Sequence, residues 1–409
     1  MGLILGTAVF AYFVTIVERS SMGVASLAAT QRFDIGATAL STLAVAQLAI
    51  YAAMQIPAGL ILDRLGARKL IIFGSLLTGV GNLIVATTPT FSLAIVGRMI
   101  VGFGDSFIFI SMIRLINGWV QGPRDTRYTQ LFANIGQLGQ IASAVPFAYL
   151  IGVAGWSPAF AAISALALIA ATCSTLFLKD EPRNEGLPLK SLRLVTQFKE
   201  NLRDPFTRKA FWVHFTMQSS GSVFILLWGY PFMVQGEGIT KATASLLLSS
   251  FVIIGFLVGP LLSHVCVAYP ERRNRLVTVM YALILAAWLL VLLTPGQNPL
   301  WQIILLVLII GSGGPASMVA FDYSRTSIPK HRLGSSNGVI NSGGFVATFV
   351  CMFLIGAVLD IVKANQMVAS AELYSLDAFK LAMPVQLVVL SIGLAMFYRE
   401  RRKTQTLAE

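Results

Sequence analysis

The chain has 409 residues, of which 56% are hydrophobic and 12% are charged, with a formal net charge of +12. Soluble domains carry roughly 25% charged residues, so this composition excludes a soluble globular protein. Its apolar runs each reach the ~20 residues that cross a bilayer. We therefore predict an all-α polytopic protein of the cell (inner) membrane, and no nucleic-acid partner for its basic charge.

Twelve apolar runs predict twelve transmembrane helices. The spans of the first half are 2–28, 37–62, 69–88, 91–117, 127–152 and 156–178. Those of the second half are 211–235, 242–267, 276–294, 299–323, 334–360 and 378–398. We predict an N-terminal six-helix bundle at 1–178, a cytoplasmic linker at 179–210 and a C-terminal six-helix bundle at 211–409. Within the linker, 192–202 is expected to form a short interfacial helix.

The thirty Lys and Arg residues are distributed unevenly. With the N-terminus in the cytoplasm, and with residues at span ends counted in the adjoining loops, twenty-three of them fall in cytoplasmic segments and four in outer loops. Three lie well inside spans, namely Arg19, Arg98 and Arg114. This bias is the positive-inside pattern and predicts that both termini are cytoplasmic. The first run starts at Met1 without a basic leader or a small-residue cleavage site, so we expect a retained helix. A start codon upstream of Met1 is the alternative to a chain that begins with this helix.

Four ionisable residues lie well inside spans 1 and 4. Glu18 and Arg19 are adjacent in span 1, whereas Arg98 and Asp105 are seven residues apart in span 4 and share one helix face. A rise of ~1.5 Å per residue puts Arg98 level with Glu18 and Asp105 about 10 Å deeper. A charge at this depth costs about 2.5 kcal/mol or more, so a functional site is expected. The alternative is a charge cluster that neutralises itself between helices.

Other polar patterns are less specific. Side chains recur at helical spacing on two spans: Gln47, Tyr51 and Gln55 on span 2, and Asn134, Gln137 and Gln140 on span 5. Such stripes either line a cavity or tie helices together. Asp322 and Arg325 lie near the cytoplasmic end of span 10 and predict a gate or interface salt bridge.

Two segments of the first half recur in the second. Gly59-Leu-Ile-Leu-Asp63-Arg64 corresponds to Gly259-Pro-Leu-Leu-Ser263-His264, and Asn134-Ile-Gly136 corresponds to Asn341-Ser-Gly343. Both matches in register indicate a duplication, and duplicated halves with a site between them are a common plan in transporters. The second copy of the first segment lacks the acid and the Arg.

The loop Gly59-Leu-Ile-Leu-Asp63-Arg64-Leu-Gly66-Ala-Arg68-Lys69 resembles the signature between spans 2 and 3 of the major facilitator superfamily. Gly97-Arg98-Met-Ile-Val-Gly102-Phe-Gly104-Asp105 resembles its second signature. The resemblance implies two pseudo-symmetric six-helix bundles and transport by alternating access. It also implies a gate role for three loop residues, Asp63, Arg64 and Arg68, to which we add Asp322 and Arg325.

The acid-Arg pair of span 1, with an Arg and an acid in span 4, resembles the anion:cation symporter branch, whose members carry organic anions with protons. The resemblance implies that Glu18 and Asp105 carry protons and that Arg19 binds the anion, since its fork matches a carboxylate. Arg98 is expected to tune the acids and to contact substrate. The remaining residues that we assign to the substrate site are Tyr51, Gln47, Gln137 and Asn341.

Two alternatives remain. A drug or metabolite efflux antiporter is disfavoured because span 5, Gly136-Gln-Leu-Gly139 onwards, lacks the Gly-Pro pair typical of that branch. A transporter-like ligand sensor is disfavoured by the short linker. The sequence has no phosphate-binding Gly-Lys-Ser/Thr run, metal-ligand spacing or HExxH motif, so we expect neither an enzyme nor a cofactor.

Overall fold

The structure, a computed structural model, describes residues 1–120, 124–180, 199–329, 332–368 and 372–406. Within these ranges the chain is helical and contains no β-strand. The chain divides into two compact units, Met1–Leu187 and Pro188–Glu409, which are described separately. The interfacial helix predicted at 192–202 lies largely outside the described residues, as does most of the predicted linker.

The described part of the first unit contains six long helices. They are α1 (Gly2–Phe33), α2 (Ala37–Leu65), α3 (Ala67–Thr87), α4 (Phe91–Trp119), α5 (Arg124–Ala142, continued by Ser143–Phe147 and Ala148–Ala154) and α6 (Trp156–Phe177). Helix α5 widens to a π-helical turn at Ser143–Phe147, where Pro146 has no N–H to donate. Helix α1 extends five residues beyond its predicted end and stops at Asp34, which adopts a left-handed conformation with φ 49°.

The described part of the second unit also contains six. They are α7 (Pro205–Val223, Phe224–Trp228, Gly229–Pro231 and Phe232–Gly236), α8 (Lys241–Ala268), α9 (Arg273–Leu293, after the single turn Pro270–Arg272), α10 (Leu300–Gly311, Gly313–Ser317 and Val319–Ser327), α11 (Leu333–Ala364) and α12 (Leu376–Ala382 and Pro384–Thr406). Eleven of the twelve helices are long and apolar enough to cross a membrane. The remaining one, α7, is the predicted span at 211–235 and contains two π-helical segments.

Helix α7 begins six residues before the predicted span, inside the segment assigned to the linker. Asp204 caps it, because its Oδ2 accepts hydrogen bonds from the Thr207 N–H at 2.8 Å and the Thr207 hydroxyl at 2.7 Å. Pro205 occupies the first helical position, where its missing N–H leaves no bond unmade. This start signal precedes the apolar run, so the helix begins before the membrane span that apolarity predicts.

Glycines bring the backbones of α3 and α4 into direct contact. A Cβ on Gly81 would lie 2.7 Å from the Gly97 carbonyl oxygen, and one on Gly104 would lie 2.6 Å from the Gly74 carbonyl oxygen. Helix α4 also approaches α2 closely, because a Cβ on Gly102 of α4 would overlap the backbone of Gln47 in α2. Since only glycine permits this approach, α4 is held closely against both α2 and α3.

Candidate functional site

The first unit contains a buried charge cluster, by which we mean Glu18 and Arg19 of α1 together with Arg98 and Asp105 of α4. Glu18, Arg98 and Asp105 are each no more than 1% exposed. The Arg19 side chain is 13% exposed. Two acids and two guanidinium groups balance one another when all are ionised, so the cluster as a whole is neutral.

Arg19 and Asp105 form a bidentate ion pair within the cluster. Arg19 Nε donates to Asp105 Oδ2 at 2.8 Å, and Nη2 donates to Oδ1 at 2.6 Å. The Arg19 guanidinium also lies 4.3 Å from the ring centroid of Tyr51 on α2. Parallel charge-assisted hydrogen bonds of this kind are among the stronger polar contacts in proteins. Arg19 is therefore held on one side by a carboxylate and on another by an aromatic face.

Glu18 is held differently, although it is the neighbour of Arg19 in the chain. Its Oε1 accepts a hydrogen bond from Asn82 Nδ2 of α3 at 2.8 Å. Its Oε2 is buried and has no hydrogen-bond partner within the described residues. Asn82 is itself oriented by a bond from the same Nδ2 to the Thr78 carbonyl oxygen at 3.0 Å. The Glu18 carboxyl group thus has one oxygen held by Asn82, while the Thr78 side chain lies nearby with its hydroxyl donating to the Ser75 carbonyl oxygen.

Arg98 lies beside Glu18, as the helix-rise estimate predicted. Its Nη1 donates to the Glu18 carbonyl oxygen at 3.5 Å, a long bond, and its Nε is buried without a partner among the described residues. The same estimate placed Asp105 about 10 Å deeper than Arg98. Arg19 nevertheless reaches Asp105, and Arg98 contacts the Glu18 backbone, so the four residues form one connected cluster.

The polar stripe of α5 connects that helix to α1. Gln137 Nε2 donates to the Tyr12 hydroxyl at 3.0 Å, and Gln137 Oε1 accepts from Gln140 Nε2 at 2.5 Å. Gly136 packs directly against the Tyr12 ring. Gln137 therefore ties α5 to α1 in this structure. Of the two roles that its helical spacing allows, lining a cavity or tying helices together, it has the second here.

The stripe of α2 has members of different kinds. Gln47 is buried, and neither its amide nitrogen nor its amide oxygen has a partner within the described residues. Gln55 Nε2 donates to the Tyr51 carbonyl oxygen at 3.2 Å. Tyr51 contacts Arg19, as described above, and is the member of the stripe that joins the charge cluster.

The predicted residues of the second unit lie in two places. Asn341 is half-buried on α11 and interacts with neighbouring groups. Arg325 Nη1 lies 3.5 Å from Asp322 Oδ1, and the Arg325 side chain is 71% exposed. Both residues belong to α10, so their ion pair joins successive turns of one helix and links no second helix.

The signature loop between α2 and α3 is a single residue, Gly66. Its φ of 81° favours glycine, and a Cβ there would lie 3.0 Å from Asp180 Oδ1. Arg68 donates from its backbone N–H to Asp180 Oδ1 at 3.1 Å and from Nη2 to the Thr175 carbonyl oxygen at 2.9 Å. The loop is therefore anchored to the end of α6. Arg64 is exposed, and the Asp63 side chain lies outside the described part of the structure.

Three residues of this region escaped the sequence analysis: Tyr12, Asn82 and Asp180. Asn82 gave a usable signal, because a lone amide in the apolar run of α3 is costly in a membrane unless it has a partner. Asp180 follows α6 directly and gave only the weak signal of one acid in a basic segment. Nothing in the spacing of Tyr12 distinguished it from a packing residue.

The sequence profile described as Major Facilitator Superfamily matches residues 8–352. The chain belongs to this superfamily. Its members are transporters and not enzymes. The predicted resemblance, the helical membrane fold and the count of twelve helices are thereby confirmed.

Individual members of the superfamily are similar to this chain at low identity. A probable sulfoacetate transporter, SauU of Cupriavidus necator, is 25% identical over 180 residues, which are 44% of this chain and 42% of that protein. The chain thus matches less than half the length of that relative. A probable galactarate/D-glucarate transporter, GarP of Escherichia coli K12, is 21% identical over 388 residues, covering 84% of each chain.

The fold is also similar to a solved member of the superfamily. A bacterial homolog of the human lysosomal transporter Spinster, in an inward-facing and unoccupied conformation, superimposes with a TM-score of 0.76 at 14% identity. The alignment covers 98% of this chain and 96% of that one. At this identity the likeness concerns the fold alone.

Proposed function

We propose that this protein is a secondary active transporter that moves a small organic anion together with protons by alternating access. The observation that carries the proposal is the Arg19–Asp105 ion pair beside the partly unbonded Glu18 carboxyl group. The predicted bundles at 1–178 and 211–409 and the linker at 179–210 belong to the same proposal.

The charge balance of the cluster supports coupling to protons. The four ionised groups sum to zero, so a proton on either acid leaves one net positive charge in a buried site. An uncompensated buried charge is unfavourable by several kcal/mol. An organic anion restores neutrality, so proton and anion bind more favourably together than either binds alone.

The geometry of Arg19 supports a carboxylate as the substrate group. Arg19 presents two parallel N–H donors to the two oxygens of Asp105, and a substrate carboxylate has the same pair of oxygens. Protonation of Asp105 weakens its hold on the guanidinium, because a neutral carboxyl group loses the ion pair. Arg19 is the most exposed member of the cluster, so it is the member that a substrate can reach.

Glu18 is the second proton carrier in this proposal. Its Oε2 lacks a hydrogen-bond partner in the described residues, so a proton there displaces no existing donor. Asn82 continues to donate to Oε1 in either state, which keeps the side chain in place. Arg98, whose hydrogen bonds are incomplete, supplies positive charge to both acid and substrate.

The names of the relatives support the substrate class. Sulfoacetate, galactarate and D-glucarate are small, strongly acidic carboxylates, and we propose a carboxylate of this kind for the present protein.

The distribution of Lys and Arg residues among the loops supports insertion in the inner membrane with both termini cytoplasmic. A reporter fused to the C-terminus that is active only in the cytoplasm tests this orientation.

Uptake into proteoliposomes tests the function. With an acidic exterior, labelled sulfoacetate, galactarate and D-glucarate are offered separately, and at least one is expected to accumulate above its external concentration. A protonophore is expected to abolish the accumulation. Uptake that ignores both the pH gradient and the membrane potential would contradict proton coupling.

A further inference from the structure

A polar cavity lies at the basic end of the second unit, between α9 and α12. It has a volume of about 300 Å³ and is lined by Glu271, Asn274, Arg275, Thr278, Tyr398 and Arg401. These residues belong to the turn before α9, to the first two turns of α9 and to the last turns of α12. None of them belongs to the residues that we propose for transport.

The cations that line this cavity lack anionic partners. Arg275 forms no ion pair within the described residues, and Arg401 Nε is buried there without a hydrogen-bond partner. The acid of the lining, Glu271, is 68% exposed and lies 3.6 Å from Arg272. Neighbouring Glu400 is already engaged by Arg208 at 3.0 Å and Lys403 at 2.9 Å.

A third cation lies close enough to Arg401 to interact with it electrostatically. Lys209 of α7 is 8% exposed, and its Nζ lies 4.1 Å from the ring centroid of Tyr323. Burial, followed by the positive charges of Arg401 and Arg273, lowers the pKa of the Lys209 ammonium group to about 8. An anion in the cavity would relieve this repulsion, because opposite charge nearby stabilises each cation.

Neutral hydrogen-bonding groups complete the lining. The Thr278 hydroxyl donates to the Asn274 carbonyl oxygen at 3.0 Å and contacts the Tyr398 hydroxyl at 2.5 Å, so these two hydroxyls are engaged with the protein and tie α9 to α12. The Tyr323 hydroxyl donates to Asn274 Oδ1 at 2.5 Å, which leaves the Asn274 amide N–H groups as donors. The donors left for a ligand are two guanidinium groups and an amide, which are groups that recognise a phosphate.

The surface below the cavity is apolar. On α9, Val279 and Leu283 follow Arg275 at intervals of four residues, and they are 47% and 43% exposed. The charge distribution assigns this end of the helices to the cytoplasmic leaflet. Basic pockets between helices on this side suit anionic headgroups, and the apolar stripe offers a path for acyl chains.

We propose that this cavity binds the phosphate headgroup of an anionic phospholipid of the cytoplasmic leaflet. Arg275 and Arg401 contact the phosphate, and the Asn274 amide N–H groups donate to its oxygens. The acyl chains lie against Val279 and Leu283. The lipid joins α9 to α12 at a place where their own side chains leave two cations unpaired.

Lipid binding by the purified full-length protein tests the site. Native mass spectrometry compares dioleoyl-phosphatidylglycerol with dioleoyl-phosphatidylcholine, which has the same chains and no net charge, and with inorganic phosphate. The wild type is expected to bind the phosphatidylglycerol at least tenfold more tightly than the phosphatidylcholine. Inorganic phosphate that binds as tightly as phosphatidylglycerol would assign the cavity to a free anion and overturn the lipid proposal.

Matched pairs of variants locate the binding. R275Q/R401Q is expected to lose the preference for phosphatidylglycerol, whereas R399Q/R402Q removes the same charge from exposed positions of α12 outside the lining and is expected to retain it. Equal losses in both pairs would reduce the effect to general electrostatics and refute the site. Should R275Q/R401Q fail to fold, N274D keeps both arginines and the oxygen that accepts from the Tyr323 hydroxyl, replaces the amide donors by a carboxylate, and is expected to weaken phosphatidylglycerol binding by about fivefold or more. Unchanged binding in that variant would also refute the headgroup position.

Discussion

Arg19 and Asp105 are 86 residues apart in the chain and form a two-pronged ion pair at 2.6 and 2.8 Å inside a helical bundle. Glu18, the acid next to Arg19 in sequence, instead accepts a hydrogen bond from Asn82. The arrangement separates the two acids: one is neutralised by an arginine, and the other is held by a neutral amide. The first three predictions follow from this separation.

Asp105→Asn is expected to keep exchange of labelled for unlabelled anion across the membrane and to lose accumulation driven by protons. Asparagine fits the space but can neither carry a proton nor pair ionically with Arg19. The measurement compares counterflow with uphill uptake in the same proteoliposomes. Asp34→Asn, the same change at an exposed position after α1, is the control and should behave as the wild type. Uphill uptake at the wild-type level in Asp105→Asn would remove this acid from the coupling.

Glu18→Gln is likewise expected to keep exchange of labelled for unlabelled anion and to lose accumulation driven by protons. Glutamine retains an oxygen that accepts from Asn82, so the packing of α1 against α3 is preserved. Glu200→Gln alters a half-exposed acid of the second unit and serves as the control. Normal accumulation by Glu18→Gln would make Glu18 a structural residue.

Arg19→Lys is expected to raise the concentration of anion needed for half-maximal exchange by ~10–100-fold, as a hydrogen bond to a charged group contributes about 1.5–3 kcal/mol. Lysine keeps the positive charge but loses the planar fork that matches a carboxylate. The test measures exchange as a function of anion concentration. Arg32→Lys, at the end of the same helix, is the control, since Arg32 donates to the Thr88 carbonyl oxygen and has no contact with the cluster. A change confined to the maximal rate would argue against Arg19 as the anion ligand.

Gly102→Ala is expected to destabilise the protein by about 1–3 kcal/mol, because the new methyl group overlaps the Gln47 backbone in a packed interior. Gly59→Ala is the matched control: its Cβ meets nothing within 4 Å, and the loss of glycine in a helix stabilises by about 0.4–1 kcal/mol. Thermal unfolding in detergent compares the two. Equal melting temperatures would show that α2 and α4 separate easily at this point.

Much of the architecture follows from apolarity and length, because a bilayer admits little besides helices. The contacts of the charges were harder to anticipate. Neighbouring residues of a helix point about 100° apart, so Glu18 faces α3 while Arg19 faces α4 and α2. Which helix lies on which side depends on packing, which spacing within one span does not reveal.

The position of Asp105 also shows that spacing within one span does not reveal side-chain contacts. The helix rise locates Cα atoms, whereas an arginine side chain extends several ångströms from its own Cα. The sequence therefore identified all four members of the cluster but could not determine their pairing. The start of α7 lies six residues before the span that apolarity predicts, because the capping signal Asp204-Pro205 lies outside the apolar run.

The close packing of α3 on α4 has a mechanical consequence. With their backbones in contact at two glycine pairs, these helices resist sliding past each other, so Asn82, Arg98 and Asp105 keep fixed relative positions. Both bonds that hold the acids, Asn82 to Glu18 and Arg19 to Asp105, run from this rigid pair to α1. If α1 slides by one residue, ~1.5 Å, both bonds lengthen at once. A single small displacement therefore changes the surroundings of Glu18 and Asp105 together.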